Sequence, residues 1–169
     1  MVQVVETKIL TQRQKEGILK LWNREYPLDL VYADMSEFEA YLQKLEEAHH
    51  YLVVDAEQAV MGWLACFTRD KERWFAMIMD SKIQGKGVGC GLLSLAKKLE
   101  KELNGWVIDK PAYKKSSGEN YTSPIGFYIK NCFEVIADTR LETNIISAVK
   151  IRWRKEPTVF FGNEHATGI

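Results

Sequence analysis

Along this chain the spacing of apolar positions switches between a period of about 3.6 and short continuous or alternating runs, and each switch marks an element. Residues 2–7 read as a first strand. Between 11 and 25, Ile18, Leu21 and Trp22 share one helical face, and Thr11 is placed to cap it. Tyr26-Pro27 breaks that helix, and 28–34 reads as loop. Ser36 reads as the cap of a second helix, with Glu39 completing a capping box and Phe38, Tyr41, Leu42 and Leu45 turned inward. Residues 51–55 and 60–68 read as strands joined by a short turn at 56–58. The run 72–79, ERWFAMIM, is nearly all apolar, as a buried strand requires. Val88, Leu92, Leu95, Leu99 and Leu103 then recur at three and four, with Lys97, Lys98, Lys101 and Glu102 mostly between them. That pattern predicts one helix with a buried stripe, stopped by Asn104-Gly105. Residues 106–109 form the next expected strand, 110–124 a polar loop, and 133–138 with 145–153 a final antiparallel pair. There is no internal repeat. A loop of that length in a small domain is often functional.

Composition narrows the setting. The chain has 169 residues, 46% hydrophobic and 27% charged, which suits one compact domain over 1–154 followed by a tail over 155–169. Lys plus Arg equals Asp plus Glu at 23 each, so no net field recruits nucleic acid or an anionic membrane. No apolar run is long enough to span a bilayer, and MVQVVETKIL lacks a signal-peptide pattern. Three widely spaced cysteines without C-x-x-C read as the reduced thiols of a cytoplasmic protein. His49-His50 has no further ligand cluster at useful spacing, so no metal is expected.

The chemistry concentrates between 79 and 103. A strand enters a loop with alternating glycines (Gly85, Gly87, Gly89, Gly91), and the loop enters a helix. Glycine lets a ligand approach the backbone, and a helix start offers unpaired N–H groups and the positive end of its dipole. Such a junction holds phosphate. The spacing is not G-x-G-x-x-G, and no Ser or Thr follows Gly85-Lys86 as a P-loop requires.

The spacing that does fit is Gln84-x-x-Gly87-x-Gly89, which resembles the Q/R-x-x-G-x-G/A segment of the GNAT acetyltransferase superfamily. A second segment, 127–133 (FYIKNCF), resembles that family's FYxKxGF, a helix turning into a strand, with Cys132 where the family usually has glycine. In order of elements the resemblance runs over roughly 2–153. It implies an α/β (α+β) fold: a mixed, mostly antiparallel sheet of about six to seven strands, splayed in the middle and flanked by about four helices.

The resemblance also implies a function: transfer of an acetyl group from acetyl-CoA directly to a primary amine. The rival on the same fold is a non-catalytic acyl-CoA sensor or regulatory domain. Gln84, Gly85, Lys86, Gly87, Val88 and Gly89 would hold the pyrophosphate. Backbone groups of Ile78, Met79 and Asp80 would hold the pantetheine arm and polarise the thioester carbonyl, and Asn120 would touch the cofactor. Tyr128 would protonate the departing thiolate. Arg73 stands near where many family members carry a catalytic glutamate, so Glu72, Asp80, Asp109 and a chain of waters remain alternative bases. Tyr26, Tyr32 and Trp74 are the expected acceptor contacts, in a pocket bounded by 26–36 and 110–124. The acceptor would be a small-molecule or peptide amine. A homodimer is compatible with this reading.

Overall fold

In the computed structural model, residues 1–157 are described. All but the first three residues of the 155–169 tail therefore lie outside the described residues. Strand β1 (Gln3–Thr7) precedes helices α1 (Gln12–Glu25) and α2 (Met35–Gln43). Strands β2 (Glu46–Val54), β3 (Val60–Arg69) and β4 (Glu72–Met79) form a meander. Helix α3 (Val88–Leu99), β5 (Glu102–Ile108), α4 (Ile125–Lys130), β6 (Glu134–Glu142) and β7 (Ser147–Arg154) complete the chain. One seven-stranded sheet runs in the order β1-β2-β3-β4-β5-β7-β6.

Every neighbouring pair is antiparallel except β4 and β5, which are parallel and in register only at Trp74 opposite Asn104. Beyond that point the two strands part. The expected fold class, including the mid-sheet splay, is what the chain adopts. Helices α1 and α2 bury Ile18, Leu21, Trp22 and Phe38 on one face of the sheet; α3 and α4 bury Leu92, Leu93, Ala96 and Tyr128 on the other. No helix among the described residues is long and apolar enough to cross a membrane.

The capping box at α1 forms: the Thr11 hydroxyl accepts from Gln14 N–H at 3.2 Å, and Thr11 N–H donates to Gln14 Oε1 at 2.9 Å. At α2 the cap is Asp34, not Ser36. Its carboxylate accepts from Glu37 N–H at 2.9 Å, and Glu39 instead pairs with Lys15 of α1 at 2.6 Å. The 28–34 segment also contains a single 3-10 turn, Leu28–Leu30.

Helix α3 ends at Leu99, four residues short of the expected stop. Leu103 and Asn104-Gly105 belong to β5. Asn104 is fully buried and ties the strands at the fork: its amide donates to Arg73 O at 3.0 Å, and its Oδ1 accepts from Arg152 Nε at 3.0 Å. A Cβ at Gly105 would lie 2.7 Å from the Phe75 ring, so glycine here admits that ring into the gap. The α3 stripe is also rotated. Leu92, Leu93 and Ala96 are buried, while Leu99 is exposed. Strands β2 and β6 extend beyond the expected 51–55 and 133–138, and β6 carries a bulge between Ile136 and Arg140.

Candidate functional site

The splay opens a cleft of about 520 Å³ on the α3/α4 side of β4. Its floor is the end of β4, and one wall is the glycine loop. Gly85 and Gly87 take φ of +73° and +80°, which other residues adopt only at a cost, and a Cβ at either would meet nothing within 4 Å. Both glycines are therefore set by backbone conformation and face open space. Gly87 is the N-cap of α3 and has no side chain to satisfy the helix's first N–H groups. Gly89 packs close to Phe127 of α4 and Met77 of β4, with 3.1 and 3.2 Å to an added Cβ.

The edge of β4 is available for a ligand. Asp80 N–H donates to Met61 O at 2.8 Å. Hydrogen-bonding direction alternates along an antiparallel ladder, so Ile78 and Asp80 turn their peptide groups to β3 while Met77 and Met79 turn theirs toward the gap. Met77 O accepts there from the Tyr26 hydroxyl at 3.2 Å, and Met79 O accepts from Gln84 Nε2 at 3.0 Å. No β5 residue is in register opposite these N–H groups.

A second cleft, of about 490 Å³, opens on the α1/α2 side. It is aromatic: Trp22, Tyr32, Tyr41, Trp74 and Trp106 line it, and Trp74 and Trp106 pack 5.2 Å apart between centroids. The two clefts share a wall of Tyr26, Met77, Tyr121, Pro124 and Tyr128. Burial pushes the Tyr121 hydroxyl up to about 12, and burial raises Tyr26 and Tyr128 well above the ordinary phenol range, with the neighbouring tyrosines adding to it. All three stay protonated at neutral pH.

Tyr128 is positioned by the end of α4. Phe133 N–H donates to Tyr128 O and Cys132 N–H to Ile129 O, both at 3.1 Å, which is a Schellman close with Cys132 at its left-handed position, φ +68°. The Tyr128 and Phe133 rings pack 5.5 Å apart, as that motif favours, and Phe75 packs on both. The turn keeps the usual shape although cysteine replaces glycine.

No protein-family model and no curated protein matches the chain. Solved structures do. An aminoglycoside 6'-N-acetyltransferase complexed with coenzyme A superposes with a TM-score of 0.66 at 11% identity, over 94% of this chain and 99% of the other. A GNAT-family acetyltransferase from Staphylococcus aureus gives 0.64 at 14%, over 91% and 99%. A GNAT phosphinothricin acetyltransferase from Sinorhizobium meliloti, in complex with acetyl-CoA, gives 0.61 at 12%, over 92% and 93%. The chain has the GNAT fold.

Within that GNAT fold the expected residues separate into those on the clefts and those off them. Ile78, Met79, Gln84, Gly85, Gly87, Gly89 and Tyr128 line the first cleft, and Tyr26, Tyr32, Trp74 and Tyr128 line the second. Lys86, Val88 and Asn120 line neither. Asn120 instead bridges to Lys114 within a small turn, and its neighbour Tyr121 reaches the shared wall. The three candidate bases are paired elsewhere: Asp80 with Arg24 at 2.6 Å, Glu72 with Lys150 at 3.1 Å, and Asp109 with Arg140 at 2.8 Å. The Arg140 guanidinium holds the Asp109 carboxyl below its usual range, which makes it a weaker base.

Besides Tyr121, two charged residues on these walls, Glu25 and Arg69, escaped the sequence reading. Glu25 is buried at the end of α1 and lines the first cleft, held by Lys115 at 3.0 Å and Arg24 at 3.4 Å. The Lys115 pair also fastens the 110–124 loop to α1, with Leu28 N–H donating to Lys114 O at 2.7 Å. Arg69 lines the second cleft. A charge at the end of an apolar strand face was its only signal. Cys66 lies in the core with its thiol pushed up to about 12 by burial, so it is no nucleophile.

Proposed function

We propose that this protein is an N-acetyltransferase of the GNAT type that moves an acetyl group from acetyl-CoA directly to a primary amine. One observation carries the reading. Two clefts on opposite faces of a splayed sheet meet at a wall containing Tyr128, so a cofactor in one and an acceptor in the other would meet beside a phenol. The GNAT fold adds support, since solved proteins sharing it are acetyltransferases with CoA or acetyl-CoA bound. Three unpaired thiols fit a reducing, cytoplasmic setting.

When bound, acetyl-CoA supplies an acetyl thioester open to attack by an amine. The chain's residues supply the rest. Open space over Gly85 and Gly87, next to the start of α3, suits the pyrophosphate. The gap-facing peptide groups of Met77 and Met79 suit the pantetheine arm, and Met79 N–H is the donor within the expected 78–80 window that faces the gap. Tyr128, on the wall shared by both clefts, would donate a hydrogen bond to the thioester sulfur and stabilise the charge it gains on leaving. With its own pKa raised, it stabilises the thiolate rather than surrendering the proton, because transfer from a phenol to a thiolate of pKa about 8.5 runs uphill.

The acceptor cleft contains no carboxylate among the described residues. Removal from water in the cleft, with no carboxylate beside it, disfavours the ammonium form of the bound amine. The amine's proton then leaves through water, which was one of the two expected routes. The test is release of CoA when the protein is given acetyl-CoA and a panel of primary amines. Binding of acetyl-CoA without release across that panel would favour the sensor.

A further inference from the structure

The charge inside the acceptor cleft is one-sided. Arg69 is the single formally charged residue lining it, and among the described residues its guanidinium has neither a carboxylate partner nor a hydrogen bond. Its guanidinium is held by rings: 5.0 Å from the Phe67 centroid and 5.4 Å from Trp74. Lys150 lies on the same indole, 5.1 Å from it, but is neutralised by Glu72. A half-buried guanidinium with no carboxylate partner, at the end of an aromatic cleft, is suited to pair with an anionic group.

A second observation comes from Trp74 itself. It is 5% exposed, and its Nε1–H is the one buried side-chain polar atom without a hydrogen-bond partner among the described residues. That donor has almost no accessible surface of its own, so what Trp74 offers a ligand in the cleft is its ring. A guanidinium without a carboxylate partner and an indole ring therefore meet at one end of the cleft.

Position along the strand sets the length of the ligand. Trp74 marks the closed end of the splay, and Met77, on the wall shared with Tyr128, marks the reacting end. Three residues of strand separate them, about 10 Å. The walls between are apolar and aromatic.

Building on the function proposed above, we infer that the acceptor is an aromatic or similarly flat apolar amine carrying an anionic group at the end remote from its nitrogen. Arg69 would receive the anion, a carboxylate or a phosphate, the Trp74 ring would pack on the flat part of the ligand, and the amine would reach Tyr128. Polyamines and other polycations are the wrong charge for this cleft. An α-amino acid is the wrong length, because its carboxylate stands beside its amine.

Equilibrium binding to the full chain saturated with CoA tests this without requiring turnover. The probes are 4-(2-aminoethyl)benzoate, phenethylamine, phenylalanine and spermidine. The para-carboxylate probe should bind about tenfold or more tighter than phenethylamine, the usual gain from a charge-assisted hydrogen bond. That ratio should fall to near one in Arg69→Gln and stay high in Arg69→Lys. A thermal shift with CoA confirms that each variant is folded. Equal binding of the two arylalkylamines, or a preference that survives in Arg69→Gln, overturns the inference. Tighter binding of spermidine overturns it as well, and phenylalanine matching the para-carboxylate probe overturns the spacing on which it rests. CoA release is read separately. A preference for the anionic probe that depends on Arg69, with no release from acetyl-CoA, would leave this site standing and remove the transferase reading instead.

Discussion

Tyr128 concentrates the chemistry of the site in one hydroxyl. Tyr128→Phe keeps the ring that packs on Phe75 and Phe133 and removes only the donor. Loss of one preorganised donor to a developing anion costs on the order of 10²–10³ in kcat. Affinity for acetyl-CoA, measured by calorimetry, should stay nearly unchanged. The loss should shrink for acyl donors with more acidic thiols, which depart with less help. Because burial keeps this phenol protonated well above the ordinary range, kcat should show no falling limb from Tyr128 up to about pH 10. A near-wild-type kcat in Tyr128→Phe, where chemistry limits the rate, would make the tyrosine a packing residue only. Cys132, four residues on, holds a left-handed conformation that costs a non-glycine residue about 1–2 kcal/mol. Cys132→Gly should relieve much of that and raise the urea midpoint without changing kcat. A lower midpoint would mean that the thiol makes a compensating contact.

The elements around the site divide the work between a glycine loop and an open fork. At the loop, acetyl-CoA at ~100 times its Kd should stabilise the fold by about 2.7 kcal/mol, read as a thermal shift. Gly87→Asp puts a side chain and a negative charge at φ +80° beside the proposed phosphate site, and should abolish that shift. Wild-type affinity in this variant would move the phosphate site elsewhere. At the fork, Gly105→Ala forces Phe75 to move, because the new Cβ would lie 2.7 Å from its ring. Overpacking of this kind costs about 1–3 kcal/mol. Phe75 also supports Tyr128, so kcat should fall along with stability; a variant that loses stability alone would uncouple the fork from the phenol.

These same two elements show what the sequence could reveal. The glycine loop was legible because Gln84, Gly87 and Gly89 are adjacent in the chain and their backbone conformation is local. The fork was not. Leu103 continues the spacing of the α3 stripe, and Asn104-Gly105 has the look of a helix stop, so local pattern favours helix up to 103. What decides otherwise is distant: Asn104 bonds to Arg73 and Arg152, and Gly105 makes room for Phe75. Tyr121 and Arg69 were hidden for the same reason. Each gains meaning only from strands and loops that the fold brings beside it.

At the scale of the whole molecule, stability should depend on pH through one buried histidine. His49 and His50 are neighbours on β2 with different surroundings. His49 stacks on Tyr51 and reaches Glu6 at 3.3 Å, while His50 is buried and its Nδ1 accepts from Trp63 Nε1–H at 3.1 Å. Burial, and secondarily His49, lower the pKa of His50 from 6.5 to about 4. The native state therefore holds it neutral at pH values where the unfolded chain has already bound a proton. The unfolded state binds more protons between about pH 6.5 and 4, so stability falls as pH falls through that window and the contribution is fully present above it. At 1.36 kcal/mol per unit, the shift is worth about 3 kcal/mol. Asp109 and Glu142, both held low by Arg140, begin to lose their contribution as pH falls through the ordinary carboxylate range, from about pH 5 downward, so above that the histidine acts apart from them. Urea midpoints of the wild type should drop steadily from pH 6.5 to 4.5. In His50→Gln the amide oxygen can still accept from Trp63, but no proton is taken up, and the decline over that interval should flatten. A decline of unchanged slope in His50→Gln would assign the proton to another group and leave His50 as a structural acceptor for Trp63.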